Sequence, residues 1–235
     1  MKNGADKSGT RGIEELYPFL YAGAGSIDAT LDEVRKSTLA KAHEIVALRE
    51  ATIAQLSPRL VECAAAMARA FHAGARLLCF GNGGSATDAH AVAHAFLFPV
   101  HGHPLPALSL ASEPAVLTAL SNDVGFEVAF ARQLAALGHR GDIALGLSTS
   151  GNSLNLLQAF EEANRRGMLT IGIAGYDGGK MAESTSIDHL FVVPSASVHR
   201  IQEVQTTIYH LLWELTQQAF DSSPAGSSAS SGEVS

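Results

Sequence analysis

Four hydroxyl-bearing side chains crowd into six positions at Ser148-Thr149-Ser150-Gly151-Asn152-Ser153, directly after the apolar run Ile143-Ala144-Leu145-Gly146-Leu147. Ser and Thr hydroxyls donate to phosphate oxygens and also cap helix starts, so such a loop can grip an anion with no basic side chain. A second segment, Leu78-Cys79-Phe80-Gly81-Asn82-Gly83-Gly84-Ser85, passes from apolar residues through three glycines into a helical window. Glycines accept positive φ and let backbone N–H groups approach a ligand, while the helix start adds partial positive charge. Taken singly, each turn is also what tight strand-to-helix packing or ordinary capping produces. Together they make Asn82, Gly83, Ser85, Ser148, Thr149, Ser150 and Ser153 candidate phosphate ligands. GxxxxGK[ST] is absent and Gly81-Asn82-Gly83-Gly84 is not GxGxxG, so no nucleotide cofactor is expected.

The two loops need a scaffold that brings strand ends together. After Gly74 short apolar runs alternate with helical windows, the pattern of a parallel sheet with crossover helices. The expected strands are 76–80, 107–110, 143–148, 169–174 and 189–193, and the expected helices 85–96, 113–120, 127–136, 154–166 and 198–219. In a doubly wound sheet, adjacent strands bring their carboxyl-end loops to one crevice, where ligands gather. Upstream, residues 28–73 read as two amphipathic helices broken at Ser57-Pro58, with Leu31, Val34, Leu39, Ile45, Val46 and Leu48 on one side. The chain therefore divides into an arm (1–27) carrying the Tyr17–Tyr21 cluster, an α/β domain with its helical pair (28–220), and a Ser/Gly/Ala-rich tail (221–235) expected to be disordered.

With 46% hydrophobic and 17% charged residues, the 235-residue chain can bury one main core. A net charge of −7 argues against direct nucleic-acid binding, which needs lysines and arginines to displace counterions. Cys63 and Cys79 lie in no ligand spacing and read as reduced, buried thiols. No apolar run reaches the ~18 residues that span a bilayer, and the N-terminus lacks a secretory apolar core, so cytoplasmic residence without membrane contact is expected.

Five blocks carry a resemblance: Gly81-Asn-Gly-Gly-Ser85, Ser121-Asn-Asp-Val-Gly-Phe126, Gly141 to Ser153, Asp177-Gly-Gly-Lys-Met-Ala182 and Arg200-Ile-Gln-Glu203. From about Asp28 to Ala219 the chain resembles the sugar isomerase (SIS) family, and within it bacterial phosphoheptose isomerases and the related DnaA initiator-associating protein. The resemblance implies a three-layer α/β/α fold around a five-stranded parallel, flavodoxin-like sheet, assembled as a homotetramer. It implies a phosphorylated sugar as partner and aldose-ketose isomerisation of sedoheptulose 7-phosphate, with paired acid and base groups beside an enediol-like intermediate.

Residue by residue, the resemblance assigns the phosphate ligands to both loops, a substrate or metal ligand to Gln202, and an acid or ligand to His210. The family's histidine and glutamate base on the first-loop helix fall here on Ala91 and Ala95, and its following arginine on Pro99. His90 and His94 keep the same four-residue separation one position earlier, about 100° away around a helix. With Gln202 and His210 they are a candidate zinc set; the alternative places them on a subunit contact or a solvent face. His101, His103 and His199 are further imidazoles without a placed partner. Two functions stand at this stage: an isomerase using His210 as acid, with His94 or Glu203 as base, or a non-catalytic phosphosugar sensor or scaffold.

Overall fold

The computed structural model describes residues 27–222. The chain divides into two compact units, Met1–Val46 and Ala47–Ser235. The Tyr17–Tyr21 cluster and residues 223–235 lie outside the described residues.

Strands β1 (Leu77–Gly81), β2 (Ala107–Ser109), β3 (Ile143–Ser148), β4 (Leu169–Gly175) and β5 (His189–Val193) form one parallel sheet in the order β2-β1-β3-β4-β5. The helices are α1 (Ile27–His72), α2 (Gly84–Leu97), α3 (Pro114–Asp123), α4 (Ala129–Leu137), α5 (Leu154–Arg165), α6 (Gly179–Glu183) and α7 (Val198–Ser222), with a 3-10 turn at Phe126–Val128. Every residue of β1 and β3 is buried, which is why these strands read as continuous apolar runs and not as alternating ones.

Between β1 and β3 the strand order reverses, because the chain leaves β1 for β2 on one side and returns to β3 on the other. Right-handed crossovers then put the connecting helices on opposite faces of the sheet, and the loops beyond β1 and β3 part to leave a crevice. One face is closed by α4 and α5: Phe80 meets Phe130 and Phe160 at 5.6 and 5.2 Å between ring centroids. Gly146 lies under two of these rings, and a Cβ there would press on Phe160 and Phe80. The opposite face is closed by α1, α2 and α7, through the stacked Phe71 and Phe96 rings (5.6 Å) and Thr216 against Met67.

The expected helix break at Ser57-Pro58 does not occur, since α1 runs unbroken through Pro58. Proline removes one helical N–H, but Leu56 and Leu60 on either side are buried, and the Ser57 hydroxyl donates to the Ile53 carbonyl at 2.6 Å. Burial and the local hydrogen bond together outweigh the proline penalty.

Entry into β3 is fixed by Asp142. Its buried carboxylate accepts the Arg76 and His139 backbone N–H groups (2.8 and 2.9 Å) and the Arg76 guanidinium (2.9 Å). Burial pushes this carboxyl up, but those donors outweigh it and hold it below the usual aspartate range. A depressed carboxylate contributes stability above its unfolded pKa and loses it as pH falls through the folded one. Asp142→Asn should therefore cost about 1–3 kcal/mol at neutral pH, with the gap to the parent protein closing toward about pH 3. Urea denaturation at both pH values measures this, and a gap independent of pH would contradict it.

Candidate active site

Parallel pairing of β1 with β3 sets Phe80 beside Gly146 and Gly81 beside Leu147, so the two loops leave the sheet as neighbours. They are clipped together by a reciprocal amide pair: Asn82 Nδ2 donates to Asn155 Oδ1 and Asn155 Nδ2 to Asn82 Oδ1, both at 2.9 Å. Asn155 is buried in the first turn of α5, so the clip ties the first loop to the helix that the second loop enters.

In the first loop Gly83 has φ +55°, and its carbonyl turns to accept the N–H groups of Ala86 and Thr87 (3.0 and 3.4 Å). Ser85 is buried and Gly83 is exposed at the mouth. No side chain caps the start of α2. In the second loop the Ser148 hydroxyl accepts the Gly151 N–H at 3.1 Å and stands 3.4 Å from the Ser153 hydroxyl. Ser153 is the N-cap residue of α5, yet its hydroxyl does not cap the helix. Ser150 Oγ accepts the Asn152 N–H at 3.2 Å. Thr149, Ser150 and Ser153 are partly accessible, while Ser148 is buried beneath them. Two helix starts free of side-chain caps and a cluster of small hydroxyls thus face one crevice, a donor set suited to an anion.

A third loop buttresses the second. The N–H of Met181 donates to the Gly151 carbonyl and that of Lys180 to Asn152 Oδ1, each at 3.0 Å. Gly151 sits at φ +65° against the Gly178 carbonyl, where a side chain would collide with backbone. Helix α7 closes the crevice from the other side. The Gln202 side-chain amide packs directly on Gly84, and buried Gln205 donates to the carbonyls of Ser148 and Ile173 (3.4 and 3.3 Å). Asn155 and Gln205 were not singled out by sequence. Their signal was faint: an amide in the first turn of an amphipathic helix, and one three residues beyond Gln202.

The imidazoles are arranged differently. His90, His94 and His210 line a groove along α2 and α7 together with Ala91, Ala95, Phe98 and Trp213. His90, despite its offset from Ala91, reaches this groove with its Nδ1 3.1 Å from Ser112 Oγ. His94 rests against Phe98, and His210 Nδ1 donates to the Thr206 carbonyl at 2.8 Å. His103 pairs with Asp221 at 2.8 Å, His101 packs on Trp213, and His199 is exposed in the first turn of α7. Of the residues offered for zinc, His90, His94 and His210 share this groove while Gln202 lies against Gly84, and among the described residues no three His, Cys, Asp or Glu side chains come close enough to hold a metal ion. Two alanines stand where the resemblance places metal and base groups, so the donor set does not fit zinc.

A parallel sheet with hydroxyl- and amide-rich loops at its order reversal defines an α/β domain whose candidate ligand site lies at that reversal. Residues 42–175 match the SIS domain family, and the chain belongs to that family. Relatives at about 40% identity include phosphoheptose isomerases. That of Halorhodospira halophila is 38% identical over 78% of this chain and 94% of its own length. That of Desulfovibrio desulfuricans is 43% identical over 80% and 88%. The solved structure of phosphoheptose isomerase GmhA from Neisseria gonorrhoeae superposes with a TM-score of 0.72 at 32% identity, covering 79% of this chain and 99% of that one.

The amide clip has a measurable signature. Asn82→Ala and Asn155→Ala should each cost about 1–3 kcal/mol, because each leaves a polar partner unsatisfied. The double variant should cost clearly less than the sum. Urea denaturation of the four proteins reads the coupling, and additive losses would contradict the clip.

Proposed function

We propose that this chain is a sugar-phosphate isomerase of the phosphoheptose isomerase type, interconverting a ketose and an aldose phosphate. The observation that carries the reading is the convergence of the loops at 81–85 and 148–153 on one crevice, with Gln202 at its edge and the His210 groove beside it. Relatives named phosphoheptose isomerase, covered over most of their length, support the substrate class.

In this reading the phosphate sits on the main-chain amides and on Thr149, Ser150 and Ser153, and the sugar chain extends between α2 and α7. His210 Nε2 moves a proton between the two adjacent sugar oxygens, which a ring fixed through Nδ1 is oriented to do. Of the two residues named above as base, Glu203 is ion-paired with Arg200 at 2.7 Å, and His94 lines the groove with His210 while resting on Phe98.

The same reading includes homotetramer assembly and cytoplasmic residence. Assembly is supported by Leu31, Val34, Leu39 and Val46, half or more exposed along the first part of α1. Residence is supported by the free, buried thiols of Cys63 and Cys79. Light scattering of the purified protein tests the assembly.

Purified protein should convert sedoheptulose 7-phosphate to the aldose phosphate, assayed with and without added zinc. Ser153→Ala should raise KM about ten- to hundredfold, the effect of one lost hydrogen bond to a charged group. Thermal stabilisation by the sugar phosphate without turnover would move the chain to the sensor reading. Neither turnover nor stabilisation would contradict a phosphosugar site altogether.

A further inference from the structure

An isomerase with alanine at 91 and 95 still needs a group that takes a proton from carbon. On α2, positions three and seven residues beyond Asp88 lie within about 60° of it around the helix axis. Those positions are Ala91 and Ala95, both on the groove shared with His210. One turn before Asp88 lies Gly84, against which Gln202 packs. Gly84, Asp88, Ala91 and Ala95 thus form one stripe of α2, and the helix packs on α7, which carries Gln202, Tyr209 and His210.

Asp88 is the acidic residue of this stripe, and its environment is unusual. The side chain is half-buried, and its Oδ2 is shielded from solvent with no hydrogen-bond partner among the described residues. Asp142, by contrast, collects three donors. Burial pushes the Asp88 carboxyl up. Burial also raises the Tyr209 phenol, the Thr206 hydrogen bond opposes this, and the negative charge of Asp88 adds to it, so the carboxylate and the α7 face are electrically in contact. A partly buried carboxylate without donors is a stronger base than a solvated one. The groove that Ala91 and Ala95 line with His210 runs along the next residues of the same helix stripe.

Resting on the isomerase reading above, we propose that Asp88 is the catalytic base of this protein. Its carboxylate takes a proton from the carbon next to the sugar carbonyl. The C–H electron pair becomes the C=C bond of an enediol, and the carbonyl oxygen takes a proton from His210 Nε2. The neighbouring hydroxyl then returns its proton to His210, its oxygen becomes the new carbonyl, and Asp88 delivers its proton to the former carbonyl carbon. Atoms and electrons balance with no co-reactant.

The test compares parent, Asp88→Asn and Asp88→Glu proteins on sedoheptulose 7-phosphate in D2O. Turnover is followed together with deuterium entry at the carbon beside the carbonyl. Asp88→Asn should lower kcat by about 10²- to 10⁴-fold and suppress deuterium entry, while thermal stabilisation by the sugar phosphate persists. Asp88→Glu, which keeps a carboxylate, should recover at least tenfold over Asn. If Asp88→Asn keeps more than about a tenth of the parental kcat, or Glu recovers nothing although it folds and binds, the assignment to Asp88 is wrong while the isomerase reading stands. If the parent itself neither turns over nor exchanges, the isomerase reading fails and the base falls with it. Should the Asn variant not fold, Asp88→Ala takes its place: a folded, sugar-binding Asp88→Ala with unchanged kcat overturns the proposal, and one that loses about 10²-fold or more supports it.

Discussion

Parallel pairing of β1 with β3 is the constraint from which the site follows. It brings Gly81 level with Leu147, and both chains then turn out of the sheet into helix starts at Gly84 and Leu154. Had these strands been separated by another, the loops would stand apart by at least a further ~5 Å strand spacing and could not share a phosphate. The Asn82–Asn155 amide pair secures laterally what the sheet arranges vertically. Gln202 and Gln205 extend the same device to α7, so neutral amides hold three elements in register around one opening.

The choice of neutral donors suits an acidic protein. With a net charge of −7 the protein offers no long-range attraction to an anion, and in the proposed function binding rests on short-range N–H and O–H groups aimed by the backbone. Such groups lose little side-chain entropy on binding, unlike lysine or arginine. The cost appears in sequence rigidity instead. Gly151 cannot gain a side chain without striking the Gly178 backbone, and one at Gly84 would displace the Gln202 amide.

Much of this architecture was legible in the residues. The run 143–148 became β3 with unchanged limits, because a strand buried along its whole length is marked by unbroken apolar sequence, and 189–193 became the half-buried edge strand β5, also with unchanged limits. The hydroxyl loop was equally plain from its composition. What sequence hid depends on distant neighbours. Pro58 reads as a break until Leu56 and Leu60 are seen to be buried on either side of it. Helix α6 contains only Gly-Lys-Met-Ala-Glu and owes its place to the Gly151 carbonyl and the Asn152 side chain, 28 residues from Lys180 in the latter case. His90 reaches the groove despite its offset because an imidazole is long and the groove is open. Asp88 carries no mark in the sequence, because the lack of a donor at its shielded Oδ2 shows only in the fold.

The most direct test of the shared phosphate crevice is a backbone-amide NMR titration with a phosphorylated ketose. The account predicts that the amides of residues 83–85 and 149–153 shift together along one saturation curve, although the loops are over sixty residues apart in sequence. Shifts confined to one loop, or concentrated elsewhere on the sheet's carboxyl edge, would contradict it.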